Sequence, residues 1–291
     1  MNTILVTGAT GQLGSDVIDF LIEQTEPSRV AALYRNEEKT QALRDKGVDL
    51  RKGDYDDYDS LLKAFEGVNK LYFVSGSDIA HRVPQHENVV KAAKEAGVSH
   101  VVYTSFQRQN ETESSPIAAV AEAHLKTEKW LKDSGIPYTI LKHTVYMDVL
   151  PMFLGEDVID RGVVYQPAGE GKAAFLLRHD MARVGAAVLT NAGHENKEYE
   201  IAADQAYSYG DIAAILSDIA GKKVQYVSPS KDEFTNTLSE QGVPQEAIGL
   251  SAGFAEAIKQ GEMARTSSAV EAITGRQPTT LPGYLKSVYG S

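Results

Sequence analysis

Apolar positions in the first half of the chain switch repeatedly between two periods. Ile4-Leu5-Val6 is a short β-branched run that reads as a buried strand. Leu13, Val17, Phe20 and Leu21 then recur at i, i+4, i+7 and i+8, the stripe of an amphipathic helix. The alternation continues. Strand-like runs stand at Arg29–Tyr34, Val48–Asp54, Lys70–Val74, Val101–Thr104 and Tyr138–Leu141. Between them lie a short helix carrying Leu61, Leu62 and Phe65 and ended by Gly67, and a helix after Pro84 carrying Val89, Val90 and Ala93 and stopping at Gly97. A long helix over roughly 116–134 is closed by Gly135 and Pro137. Repeated strand–helix units predict an α/β fold, a Rossmann-type doubly wound parallel sheet, with Tyr72 and Phe73 in its core.

Beyond residue 145 the pattern is mixed. Ser208 followed by Asp211 reads as a helix N-cap, further helical stretches lie near 231–240 and 244–260, and Glu198–Ile201 and Val224–Val227 read as strands. The expected organisation is a Rossmann domain over 1–145 and a smaller mixed α/β substrate lobe over 146–291, with some segments returning to the first domain.

The chemistry begins at the first strand-to-helix turn. Gly8-Ala9-Thr10-Gly11-Gln12-Leu13-Gly14 has the spacing G-x-x-G-x-x-G, one residue away from the dinucleotide fingerprint, and sits inside a βαβ unit. Such a turn aims free backbone N–H groups and the positive end of a helix dipole at one point, which suits a phosphate. A side chain at Gly8 or Gly11 would obstruct a pyrophosphate. Gly8, Thr10, Gly11, Gln12, Leu13 and Gly14 are therefore candidate dinucleotide-binding residues. In parallel sheets ligands lie beyond the carboxyl ends of the strands. That adds Asp54 and Tyr55 after the third strand, Ser75 and Gly76 after the fourth, and Thr104 at the end of the fifth. The second strand ends in Tyr34-Arg35-Asn36 with no acid before Glu37. Arg35, a permanently charged planar fork, suits a ribose 2′-phosphate, so NADP(H) is expected, with NADPH favoured over NADH.

Composition narrows the partners. The chain has 291 residues, no cysteine, and a net charge of −11 from 29 basic and 40 acidic side chains. The absence of cysteine excludes disulfides, thiolate catalysis and cysteine-ligated zinc. The acidic balance argues against nucleic acid. No apolar run approaches the ~20 residues of a membrane span. The first strand starts without a basic leader, and a cytoplasmic protein with no membrane partner is expected. The histidines have no H-x-x-x-H or H-E-x-x-H spacing, so no metal is expected. Nothing in the sequence fixes the oligomeric state, and a homodimer stays open.

The glycine turn, Tyr34-Arg35-Asn36, Thr104-Ser105, the run His124 to Lys129 and the run Ser134 to Thr139 together resemble the atypical short-chain dehydrogenase/reductases of the NmrA-like subgroup. Within it, the chain is similar to the bacterial type-2 NAD(P)H:quinone oxidoreductases and the triphenylmethane reductases. The resemblance implies a reductase that passes hydride to quinones or similar planar electrophiles. It also implies an alternative, since the family contains NADP(H)-binding redox sensors that act through a protein partner without turnover.

Short-chain dehydrogenases use Tyr-x-x-x-Lys on the long helix as proton donor and its activator. Against that pattern, Val120 takes the tyrosine position and His124 the lysine position. Alcohol chemistry, which needs matched proton transfer, is then unexpected. Hydride transfer to a delocalised acceptor needs mainly proximity, orientation and a dry pocket. His124 has two readings, a proton donor near neutral pH or a helix residue satisfied by a neighbouring carbonyl or by Glu128. Ser105 is expected beside the nicotinamide or bonded to backbone. His143 and the segment around it stand where relatives carry an arginine and an asparagine, so His143 is expected to take over a polar contact to the acceptor or to change the substrate. Tyr146 and Phe153 are expected either to stack on a flat acceptor or to pack the lobe.

Overall fold

The computed structural model describes residues 2–290. Strands β1 (Thr3–Val6), β2 (Val30–Tyr34), β3 (Asp49–Lys52), β4 (Val68–Phe73), β5 (His100–Phe106) and β6 (Tyr138–His143) follow the predicted runs. Helices α1 (Gln12–Ile22), α2 (Gln41–Asp45), α3 (Tyr58–Ala64), α4 (Arg82–Glu95) and α5 (Ala118–Ser134) alternate with them. The later chain holds α6 (Leu150–Leu154), α7 (Val158–Arg161), β7 (Val163–Tyr165), β8 (Lys172–Ala173), α8 (Arg178–Thr190), β9 (Lys197–Ile201), β10 (Tyr207–Ser208) and α9 (Tyr209–Ala220). It closes with β11 (Gln225–Val227), α10 (Lys231–Glu240), α11 (Gln245–Lys259), α12 (Ala269–Thr274) and α13 (Leu281–Tyr289).

Seven strands form one sheet in the order β3-β2-β1-β4-β5-β6-β9, and every pairing is parallel. The strand read at Glu198–Ile201 is the seventh member, with Leu141 opposite Tyr199 and His143 opposite Ile201. The order reverses between β1 and β4, where Val6 lies opposite Tyr72, and a crevice opens above such a switch point.

Both faces of the sheet are covered. On one, Leu13, Val17 and Leu21 of α1 share a core with Met181, Val184 and Val188 of α8. On the other, Leu61, Phe65, Val89 and Leu131 pack beneath α3, α4 and α5. The close approach of α8 depends on Gly185, where a Cβ would sit 2.6 Å from the Tyr72 ring. Helix α12 joins α8 on the first face through Val270, and most of the remaining second half builds a lobe with its own core, including Met147, Leu150, Phe175, Ile212, Leu216, Ile258 and Leu285. Within it β7 pairs with β11 in parallel and β8 with β10 antiparallel. Ser208 and Asp211 close a reciprocal capping box on α9, as their spacing predicts. Among the described residues no helix is long and apolar enough to cross a membrane.

Candidate active site

A cleft of about 560 Å³ lies over the switch point. One wall is the turn between β1 and α1. Gly8 has φ +60°, a conformation open to glycine, and its carbonyl accepts the Gly11 N–H at 2.9 Å. Gly14 lies so close beneath that a Cβ there would be 2.3 Å from the Gly8 oxygen, so the turn folds onto α1 only without a side chain at 14. Gly11 is the N-cap of α1 and no side chain caps it, which leaves the first-turn N–H groups for a ligand.

Gly8, Thr10, Gly11, Gln12, Leu13, Gly14, Arg35, Tyr55, Ser75 and Gly76 all line this cleft. Asp54 and Thr104 do not, and each instead shapes a loop that does. Asp54 accepts the Asp56 N–H at 3.2 Å in the turn after β3. Thr104 Oγ1 accepts the Ser75 N–H at 2.9 Å. The Tyr55 hydroxyl lies against Thr7 Oγ1 and donates to the Val74 carbonyl at 2.8 Å, tying β1 to the end of β4. Burial pushes its pKa up, so it stays a donor.

The charge of this cleft opposes that of the whole chain. Arg35, Lys39, Arg82 and Arg178 line it against one carboxylate, Asp78, and Asp78 is paired with His81 at 2.8 Å. Glu37 is bound to Arg44 at 2.7 Å rather than turned toward Arg35. A basic pocket in a chain of net charge −11 fits a polyanionic ligand.

A second, mostly apolar cleft of about 280 Å³ opens beneath the lobe. Phe106, Val120, Val145, Val149, Phe153 and Phe254 form much of its wall, and the exposed side chains of Met152 and Leu250 stand at its mouth. Ser75, Arg82 and Tyr146 line both clefts, so the two meet there. Tyr146 is held by Arg178, whose guanidinium lies 5.3 Å from its ring centroid. Helix α5 presents Val120 and His124, one turn apart, to the apolar cleft.

A buried polar network backs the junction. His86 Nε2 accepts the Gly76 N–H at 2.9 Å, so Nδ1 carries the proton and donates to Thr127 Oγ1 at 2.8 Å. Thr127 donates onward to the Ala123 carbonyl at 2.6 Å. Burial, followed by the charge of Arg82, lowers the His86 pKa to about 3. His124 Nε2 faces Arg82 Nη1 at 3.4 Å, and its Nδ1 lies 2.7 Å from the Tyr103 hydroxyl. Arginine can only donate, so Nε2 is the unprotonated nitrogen and the proton of neutral His124 points at Tyr103. Burial, then Arg82, pushes the His124 pKa well below its usual range. The partner is a tyrosine, and not the backbone carbonyl or Glu128 of the second reading from the sequence.

Ser105 lines the apolar cleft, but its hydroxyl donates to Glu128, which also holds Arg108 through bonds of 3.0 and 2.9 Å. Phe153 and Tyr146 line the same cleft. His143 corrects an expectation. It is buried in the sheet between Phe106 and Ile201, lines neither cleft, and both ring nitrogens lack partners. Burial lowers its pKa to about 3. Its neighbour Thr144 reaches the cleft instead. Sequence reasoning missed Arg82, His86 and Tyr103, because α4 and β5 were read only for their apolar positions. The one available signal was a cluster of polar residues at the start of α4, His81, Arg82, Gln85 and His86.

A crevice at the switch point of a seven-stranded parallel sheet, floored by a glycine turn at a helix N-terminus, defines the class of Rossmann-type doubly wound folds. The chain belongs to the NmrA-like family, whose pattern matches residues 1–285. It is 38% identical to quinone oxidoreductase 2 of Escherichia coli over 278 residues, covering 96% of each chain. Among solved structures it is similar to an NADPH-dependent quinone oxidoreductase from Escherichia coli complexed with NADPH, with TM-score 0.92 and 36% identity over 99% of this chain and 100% of that one. It is likewise similar to triphenylmethane reductase from Citrobacter sp., with TM-score 0.91, 38% identity and the same coverage.

Proposed function

We propose that this protein is an NADPH-dependent reductase of quinones or similar planar electrophiles. The observation that carries the reading is the junction of the two clefts at Ser75, Arg82 and Tyr146, which puts a basic, backbone-lined cleft in continuity with a mostly apolar one. The uncapped amides of α1 and the Gly8–Gly14 contact fit a pyrophosphate, and Arg35 with Lys39 supplies the positive charge that would prefer NADPH over NADH. When bound, the dinucleotide supplies a hydride at the junction. Residues of the chain do the rest. The loop at Ser75 and Gly76 is pinned by Thr104 and His86, and Phe106, Phe153, Tyr146 and Phe254 enclose a planar acceptor and exclude water. Neither Val120 nor neutral His124 is a proton donor toward the acceptor, and the reduced acceptor takes its proton from solvent as it leaves the pocket.

The sensor reading would favour a nicotinamide pocket filled by side chains, whereas the two clefts meet at Ser75, Arg82 and Tyr146. Turnover with NADPH and a small panel of quinones tests the proposal. Quinone consumption should match NADPH oxidation, and deuterium at the transferred position should slow the chemical step. Tight NADPH binding with no quinone consumed would instead make the protein a sensor.

A further inference from the structure

We infer that Arg82 receives the oxygen of a carbonyl acceptor and makes the pocket selective for neutral quinones over cationic dyes. This deepens the functional reading above and rests on it. Arg82 opens α4 at the junction and is only 7% exposed. Its guanidinium has no ion-pair partner among the described residues. Among the described residues its one side-chain polar contact is the 3.4 Å approach to His124, and its Nε has no hydrogen-bond partner. A buried cation left without a counter-charge is costly unless a ligand completes it. Nearby Asp78 is committed to His81.

The direction of charge flow decides which ligand completes it. A quinone that accepts a hydride, one hydrogen nucleus with two electrons, becomes the hydroquinone monoanion, while the nicotinamide donor becomes its oxidised cation. Water supplies the second proton. Negative charge therefore grows on the acceptor oxygen during transfer, where a preorganised cation stabilises it. A triarylmethane cation starts at +1 and ends neutral. It is still partly positive in the transition state, so Arg82 opposes it relative to free dye and enzyme. The same side chain raises kcat/KM for one acceptor class and lowers it for the other.

Steady-state kinetics of Arg82→Gln with 1,4-naphthoquinone and with a triarylmethane dye cation test this, with NADPH affinity followed by fluorescence. The quinone kcat/KM should fall by roughly 100-fold, the scale of a lost oxyanion donor. The dye kcat/KM should rise, both values being taken at NADPH concentrations that saturate each protein, so that any loss of cofactor affinity from this cleft-lining cation is kept apart from the acceptor effect. Arg82→Lys, which keeps the charge, should recover part of the quinone rate and none of the gain with dye. A parallel loss on both acceptors, or an unchanged quinone rate in the folded variant, overturns the assignment. If the unmutated protein reduces neither acceptor, the reductase reading fails by itself. Arg82 is then judged by binding of 4-nitrophenolate, above its own pKa and with NADP+ present. Affinity for the anion at least ~10-fold weaker in Arg82→Gln, with affinity for neutral nitrobenzene unchanged, supports the role. Equal affinity for the anion in both proteins ends it.

Discussion

The cleft above the sheet and the cleft beneath the lobe share three residues, yet they are made of different material. The first draws on a seven-residue turn, Gly8 to Gly14, and on loop ends close to it in the fold, and its decisive groups are backbone amides and fixed positive charges. The second takes side chains from β5, α5, the segment after β6, and α11, and most of them are apolar. Phosphate recognition by backbone needs one geometry, and few local sequences supply it. Recognition of a flat acceptor needs contact area, which many combinations of aromatic and aliphatic side chains provide. Acceptor choice can therefore be shifted by substitutions scattered over the lobe while the first cleft is left untouched.

The comparison is broken most severely at Gly11. It lines the cleft as the N-cap of α1, and a Cβ there already stands 3.3 Å from the Gly8 oxygen. Gly11→Val should weaken NADPH binding at least ~100-fold, about 2.8 kcal/mol. The circular dichroism spectrum should stay unchanged, and so should the shape of the apolar pocket. Calorimetry on the folded variant that finds normal affinity would move the phosphate site elsewhere.

Arg35 tests the charge of the first cleft without touching its backbone. Its exposed side chain tempers the expected effect, so Arg35→Ala should weaken NADPH by about 10-fold and leave NADH nearly unchanged. Competition titrations with both cofactors read this directly, and an equal loss for the two would remove Arg35 from the 2′-phosphate.

The smallest effect is expected in the second cleft. The pKa of His124 lies well below its usual range, so its neutral form prevails at pH 6–8 and no step from His124 should appear in quinone turnover over that interval. Acidification would have to pass the depressed pKa before this residue gained a proton. His124→Ala should lower turnover by less than ~10-fold, against the ~10²–10⁴-fold expected for loss of a general acid. A collapse of activity with NADPH binding intact would make His124 the donor after all.

The sequence by itself determined the strand–helix alternation, the parallel sheet and the glycine turn. Each of these rests on a local period or on a backbone demand confined to a few consecutive residues, as at Gly8, Gly11 and Gly14. It also placed Val120 and His124 one turn apart on α5, because helical spacing is local. Only the tertiary structure decided that Lys197–Ile201 lies beside β6, that α8 shares a core with α1, and that α8 approaches Tyr72 of β4 at Gly185. Those partners are far apart in the chain and share no periodic signal. His143 shows the same limit in the site. Its position at the end of β6 suggested the cleft, but the alternation of side chains along a strand and the flanking β5 and β9 enclosed it, leaving Thr144 to face the pocket. Arg82 became visible as an unpaired buried cation only once β4, α4 and α5 were brought together, since burial and the absence of a counter-charge belong to the packed molecule and not to any stretch of the chain.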